Sequence, residues 1–177
     1  MKVLRILAPG TPPRLADAVR RAVVEFNRGL DIRLRFLSIG IEETVIEAAD
    51  SAAASDAVTQ AMRSTAPDVV VVLGEGAAAL AAATAAVRER ATLVRVGAGR
   101  REGSDADASR AIDRIASVLL HAGPAAAAAL DAEGLTAHRI DIGDPGDPAA
   151  GERIVRALAR ARRAAQGGAS PGGQLTC

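Results

Sequence analysis

A single carboxylate lies where the most apolar strand of the chain is predicted to end. Residues 68–73 read DVVVVL, and Glu75 follows them between Gly74 and Gly76. A continuous apolar run of this kind is typical of a strand buried on both faces of a parallel sheet. Open α/β sheets bind ligands at the carboxyl ends of their strands, so Glu75 and Gly74 are candidate site residues. A carboxylate favoured by the dipole of the next helix explains Glu75 equally well.

A second glycine-rich loop, RVGAGRREGSD, follows the next predicted strand and carries basic side chains. Gly97 and Gly99 could let backbone N–H groups approach a phosphate, although a tight turn explains them equally well. Arg95, Arg100 and Arg101 could bind an anion or an acidic partner, but we expect solvated loop charges first. This loop is therefore a candidate anion site without an acid of its own before residue 102.

Two other pairs of residues are considered as sites or as structural features. Gly10 and Thr11 precede the first predicted helix, where they form either a helix cap or a weak anion site. Asp113 and Arg114 are interpreted as an exposed pair on a helix.

The composition excludes several function classes. The 177 residues carry a net charge of +1, with no Trp or Tyr and two Phe, which argues against nucleic acid as a partner. No apolar run approaches the roughly 18 residues of a membrane span, and the opening MKVLRILA does not resemble a leader peptide. We therefore expect a cytoplasmic protein without a membrane partner.

The residues that usually hold metals are few and scattered. Cys177 is the only cysteine, and His121 and His138 lack the spacing of metal ligands. We expect no internal disulfide, no metal and no cofactor.

Strand and helix patterns alternate along the chain. The predicted strands are residues 3–8, 32–39, 68–73, 92–96, 118–121 and 139–142. The predicted helices are residues 15–26, 53–65, 77–90, 108–115, 124–133 and 149–165. This alternation predicts an α/β fold with one Rossmann-like, doubly wound and mainly parallel sheet flanked by helices. We assign residues 1–165 to that domain and residues 166–177 to a flexible Gly/Ser/Pro tail.

The order of the segments resembles the amino-terminal half of non-hydrolysing UDP-N-acetylglucosamine 2-epimerases. The resemblance lies in MKVLRILAPGTPP, PDVVVVLGEGAAALAAATAA, TLVRVGAGRR, SRAIDRIASVLLHAGPAAAAALDAEGL and IDIGDP. It implies one half of the glycosyltransferase-B arrangement, in which two Rossmann-like domains clamp a nucleotide sugar. The second domain, which supplies a catalytic histidine and most nucleotide contacts in that family, is expected to be absent.

The departures from the family's motifs lie at its functional positions. Pro12 stands where the family has an arginine near the phosphates, and Arg14 is displaced by two residues. Glu75 replaces the family's catalytic aspartate, and a shift of about 1 Å can cost on the order of 100-fold in rate. Gly97 stands at the second catalytic acid, and Asp107 is the nearest surviving carboxylate to a third acidic segment.

Two further departures concern neighbouring motifs. Arg95 replaces a histidine, and Gly143-Asp144-Pro145 replaces Gly-Asn-Pro at the family's hinge.

The resemblance and the departures together give the following candidates. The catalytic candidates are Glu75 and Asp107, and the ligand-binding candidates are Gly10, Thr11, Arg14, Gly74, Gly97, Gly99 and Arg100. We expect a degenerate half-domain that is a non-catalytic or regulatory partner of an epimerase or glycosyltransferase homologue, with a UDP-sugar as a further candidate ligand. The alternatives are the catalytic half of a split enzyme and a stand-alone nucleotide-binding module.

Overall fold

A computed structural model describes residues 2–7, 13–28, 42–47, 50–101 and 105–167. The strands are β1 Lys2–Leu7, β2 Glu42–Glu47, β3 Val69–Leu73, β4 Leu93–Ala98, β5 Val118–His121 and β6 His138–Asp141. The helices are α1 Pro13–Arg28, α2 Ser51–Thr65, α3 Gly76–Arg88, α4 Ala106–Ile115, α5 Gly123–Ala132 and α6 Pro148–Gly167.

The six strands form one sheet in the order β2-β1-β3-β4-β5-β6. Every neighbouring pair is parallel, with Val3 opposite Val69 and Val70 opposite Leu93 as examples of the register. Consecutive parallel strands need crossover connections, and helices supply them here. The predicted α/β class and doubly wound parallel sheet are therefore confirmed.

Helices pack on both faces of the sheet, because the central strands are apolar on both sides. In β3, Val69, Val71 and Leu73 face the core under α1 and α6. Val70 and Val72 face a second core formed mainly with α2, α3 and α4. All five β3 residues are inaccessible to solvent, as the run VVVVL predicts. The carboxyl ends of the strands thus share one fixed edge of the sheet.

Besides shifts of one or two residues at element ends, the structure differs from the sequence-based elements at four places. Strand β2 was not predicted, because EETVIE has acidic ends and a short apolar centre; the predicted strand 32–39 lies outside the described residues. Strand β4 continues through Gly97 to Ala98, although glycine indicated a loop. Helix α4 begins at Ala106, so the predicted loop ends before Asp107. Helix α6 runs past the predicted boundary to Gly167.

Within the described ranges, no helix is long and apolar enough to cross a membrane.

Candidate ligand-binding cleft

A cleft of about 560 Å³ opens at the carboxyl edge of the sheet. Its lining comes from the first turn of α1, the end of β4 and the loop after it, the β5–α5 junction, helix α5, and the loop after β6. The lining residues are Pro13, Arg14, Leu15, Gly97, Arg100, Ala122, Ala126, Asp144 and Pro145. A concave, mostly apolar pocket with a few charged groups is the usual form of a small-molecule site.

The charged groups of the cleft are two arginines and one aspartate. Arg14 extends from the first turn of α1, and Arg100 lies beyond the end of β4. Asp144 accepts a 2.8 Å hydrogen bond from the backbone N–H of Gly146, which fixes it in the turn before α6. The structure therefore brings Arg14, Gly97 and Arg100, three of the predicted ligand-binding residues, to one cavity.

Glu75 forms an ion pair with Arg100, which lines the cleft. Its Oε1 lies 3.1 Å from Nε of Arg100, and the Glu75 side chain is only 12 % exposed. Glu75 is the residue before α3, but its carboxylate makes no capping hydrogen bond to that helix. Glu75 thus pairs with Arg100 at the start of α3, where the helix dipole also favours a carboxylate.

Gly97 and Gly99 permit close packing of helices against β4. Both have positive φ, +84° and +80°. A Cβ on Gly97 would lie 2.9 Å from Cδ2 of Leu15, and a Cβ on Gly99 would lie 2.3 Å from the carbonyl oxygen of Ala126. The N–H of Gly99 donates to Oδ2 of Asp113 at 2.9 Å, so this donor is already used within the protein. These contacts favour a packing role for both glycines over phosphate binding.

A buried ion cluster, formed by Arg95, Arg101, Asp113 and Glu133, lies behind the cleft. Asp113 is fully buried; its Oδ2 lies 2.9 Å from Nη1 of Arg101, and its Oδ1 lies 3.5 Å from Nε of Arg95. Arg101 also forms a two-point contact with Glu133, at 2.7 and 2.9 Å. Arg95, 1 % exposed, donates to the carbonyl oxygen of Gly74.

The cluster corrects two expectations. Arg95 and Arg101 are not solvated loop charges, and Asp113 is not part of an exposed pair with Arg114. The α4 sequence held a signal for this, because Ser109, Ile112 and Asp113 have the spacing of one helix face and all three are buried. The polar character of Asp113 concealed that signal.

The charges in the cluster shift one another's pKa values. Burial lowers the pKa of Arg95, and the carboxylates of Asp113 and Glu75 oppose that effect. Partial burial also acts against the charge of Arg101, but hydrogen bonds to Glu133 and Asp113 outweigh it and raise the Arg101 pKa. The hydrogen bond from Arg101 lowers the pKa of Glu133. The Arg101–Glu133 contacts in this cluster are charge-assisted hydrogen bonds.

Asp107, the second predicted catalytic residue, does not line the cleft. Asp107 is 95 % exposed on α4 and pairs with Arg110 at 2.7 Å. Gly10 and Thr11 lie outside the described residues. In the part of the chain that the structure describes, no three His, Cys, Asp or Glu side chains are grouped as a metal site requires.

His121 was not among the predicted site residues. It is buried at the end of β5, beside Asp141 in the register of β6. Hydrogen bonds from the backbone N–H groups of Gly143 and Gly123 lower the pKa of Asp141. Among the described residues, Nδ1 of His121 has no hydrogen-bond partner.

The parallel doubly wound sheet defines a Rossmann-like α/β domain with a cleft at its carboxyl edge. No protein-family model and no curated protein matches the chain by sequence. The fold is similar to that of UDP-N-acetylglucosamine 2-epimerases, including those of Methanocaldococcus jannaschii (TM-score 0.63, 21 % identity) and Rickettsia bellii (TM-score 0.60, 22 % identity). The alignments cover 81 % and 90 % of this chain, and 46 % and 48 % of those chains.

A third similar structure is Staphylococcus aureus MnaA with UDP. It has a TM-score of 0.62 and 17 % identity, and the alignment covers 81 % of this chain and 44 % of that one. The chain therefore spans about half the length of these structures. The predicted likeness to one half of such an epimerase is confirmed at the level of the fold.

Proposed function

We propose that this chain is an epimerase-like half-domain that binds a UDP-sugar without catalysing its conversion. In this proposal it acts in the cytoplasm as a partner or regulatory subunit of a nucleotide-sugar epimerase or glycosyltransferase homologue. The fold supports the proposal, because the similar structures include S. aureus MnaA with UDP and the M. jannaschii epimerase with UDP-GlcNAc and UDP.

The cleft supports a nucleotide ligand. Arg14 and Arg100 lie on different elements around one cavity, and guanidinium groups form strong hydrogen bonds with phosphate oxygens. The apolar side chains of Leu15 and Ala126 provide surface for the less polar parts of a ligand. A cavity of about 560 Å³ is within the range of small-molecule sites.

The non-catalytic assignment rests on two positions of this chain. They are the positions at which the UDP-N-acetylglucosamine 2-epimerases that the sequence resembles have catalytic acids. At the first, Glu75 is bound to Arg100 at 3.1 Å. At the second, Gly97 has no acid, and Leu15 occupies the space that a side chain there would enter. Epimerisation at C2 requires a proton to be removed and returned beside a diphosphate leaving group. This arrangement supports binding without that chemistry.

The partner is the second part of the proposal. The cleft is open, and Arg14 at its rim is exposed, so a second polypeptide could close over a bound ligand. Co-expression with products of neighbouring genes, followed by light scattering, tests this. We expect a complex with an epimerase or glycosyltransferase homologue. Strictly monomeric behaviour with every such product would contradict the partner role.

The alternative is the catalytic half of a split epimerase or glycosyltransferase. Its support is that Glu75 lies beside the cleft, with a carboxylate that does not cap α3. In a reconstituted complex, Glu75→Gln should then abolish turnover, and Asp107→Asn tests the second predicted acid in the same way. Under our preferred proposal, Glu75→Gln leaves kcat unchanged. Nucleotide binding by a strict monomer would instead favour a stand-alone nucleotide-binding module.

A further inference from the structure

The Glu75–Arg100 ion pair joins a residue that lines the cleft, Arg100, to one that does not, Glu75. Arg100 lines the cavity and its side chain is 39 % exposed, whereas Glu75 contacts it and is 12 % exposed. The cation offered to a ligand is therefore partly neutralised by the protein's own carboxylate. A ligand anion that binds Arg100 must share this guanidinium with Glu75 or displace it.

The backbone next to Glu75 contacts the buried ion cluster. The preceding residue, Gly74, accepts a hydrogen bond at its carbonyl oxygen from Arg95. Arg95 is in turn held by Asp113 inside the protein. Because Glu75 has no capping bond to α3, its carboxylate is available to Arg100. The backbone is thus anchored from within while the side chain pairs at the cleft.

We propose that Glu75 is an internal competitor for the phosphate of a nucleotide at Arg100. This inference rests on the proposed function, since it assumes a nucleotide in the cleft. A doubly charged phosphate binds a guanidinium more strongly than one carboxylate does. The ligand can therefore displace Glu75 from Arg100, but breaking the ion pair lowers the net affinity. Glu75 thereby lowers the affinity of the site for ligands that carry a phosphate and leaves its affinity for uncharged ligands unchanged.

Removal of the competing charge should increase affinity for UDP. Arg100 in this ion pair is 39 % exposed, and ion pairs that solvent reaches are typically worth up to about fivefold in an equilibrium constant. We therefore expect Glu75→Gln and Glu75→Ala to bind UDP up to about fivefold more tightly than the wild type in calorimetry at low salt. The gain should shrink as salt is added. Uridine, which has no phosphate, should bind all three proteins equally.

A double-mutant cycle assigns the effect to Arg100. In an Arg100→Gln background, Glu75→Gln should no longer improve UDP binding, because the shared cation is gone. In an Arg14→Gln background the gain should persist. Glu152→Gln is a matched control, since Glu152 pairs with Arg156 on helix α6 and does not line the cleft.

The outcomes separate this inference from the proposed function. Unchanged or weaker UDP binding by Glu75→Gln and Glu75→Ala would overturn the competitor role and leave the nucleotide site standing. An equal gain in the Arg100→Gln background would also overturn it. If neither the wild type nor the Glu75 variants bind UDP at millimolar concentration, both the nucleotide ligand and the competitor role are wrong.

Discussion

Asp113 and Arg101 meet inside the protein, with 2.9 Å between Oδ2 and Nη1, and Asp113 has no exposed surface. Arg101 belongs to the loop after β4 and Asp113 to α4, so the pair joins the site loop to the helix behind it. Arg95 approaches the same carboxylate from β4. The cluster positions the loop that carries Arg100 into the cleft.

Loss of the Asp113 carboxylate should destabilise the fold strongly. Asp113→Ala leaves the buried guanidinium of Arg95 without its counter-charge, which typically costs about 3–5 kcal/mol. Chemical denaturation measures the change in the free energy of unfolding. Asp107→Ala on the same helix is the control and should have little effect, because Asp107 is 95 % exposed. Equal effects of the two substitutions would contradict a structural role for the cluster.

Gly99→Ala should also destabilise the fold, for two separable reasons. The residue has φ of +80°, and an added Cβ would lie 2.3 Å from the carbonyl oxygen of Ala126. Gly123 has the same φ with open space around it, so Gly123→Ala isolates the backbone cost. We expect about 1 kcal/mol for Gly123→Ala and at least about 3 kcal/mol for Gly99→Ala. Thermal unfolding of both variants tests the difference; equal losses would show that α5 does not pack on Gly99.

The contribution of Glu133 should depend on pH. Its pKa is lowered from an ordinary value of 4.5 by the hydrogen bond from Arg101. A lowered pKa in the folded state stabilises the protein above the unfolded value, and this stability is lost as pH falls through the lowered pKa. Glu133→Gln should therefore be less stable than the wild type at pH 7, with a smaller difference near pH 3. Denaturation at both pH values checks this, and a constant difference would contradict it.

Return of an acid at position 97 should not restore epimerase chemistry. Gly97→Glu would place its Cβ 2.9 Å from Cδ2 of Leu15, at a residue with φ of +84°. We expect a lower melting temperature and no conversion of UDP-GlcNAc. Gly97→Ala introduces the clash without the acid and should lower the melting temperature similarly. A stable Gly97→Glu protein that epimerises UDP-GlcNAc would contradict this prediction.

The sequence predicts elements best where one physical signal dominates. Strand β5, Val118–His121, was predicted with the same bounds, because an apolar run lies between clear breaks. Strand β2 was missed because its acidic ends masked the apolar centre of an edge strand. Helix boundaries shifted by a residue or two, where capping and packing decide the last turn.

Only part of the candidate site could be predicted from the sequence. The carboxyl ends of the strands could be predicted to hold Glu75, Gly97 and Arg100, since parallel strands end at one edge. The pairing of Glu75 with Arg100 could not, because it joins residues from two different loops. The burial of Asp113 was missed because a charged side chain on a helix indicates an exposed position, and its partners Arg95 and Arg101 lie on other elements.

One NMR titration tests the central claim, that the cleft binds a nucleotide sugar without converting it. UDP-GlcNAc is observed while the protein is added, so that binding and product formation are read from the same sample. We predict saturable broadening of the ligand signals, weakened by Arg100→Gln, with no signals from the C2 epimer. Epimer signals that grow with protein concentration, or unchanged ligand signals at millimolar concentration, would contradict the account.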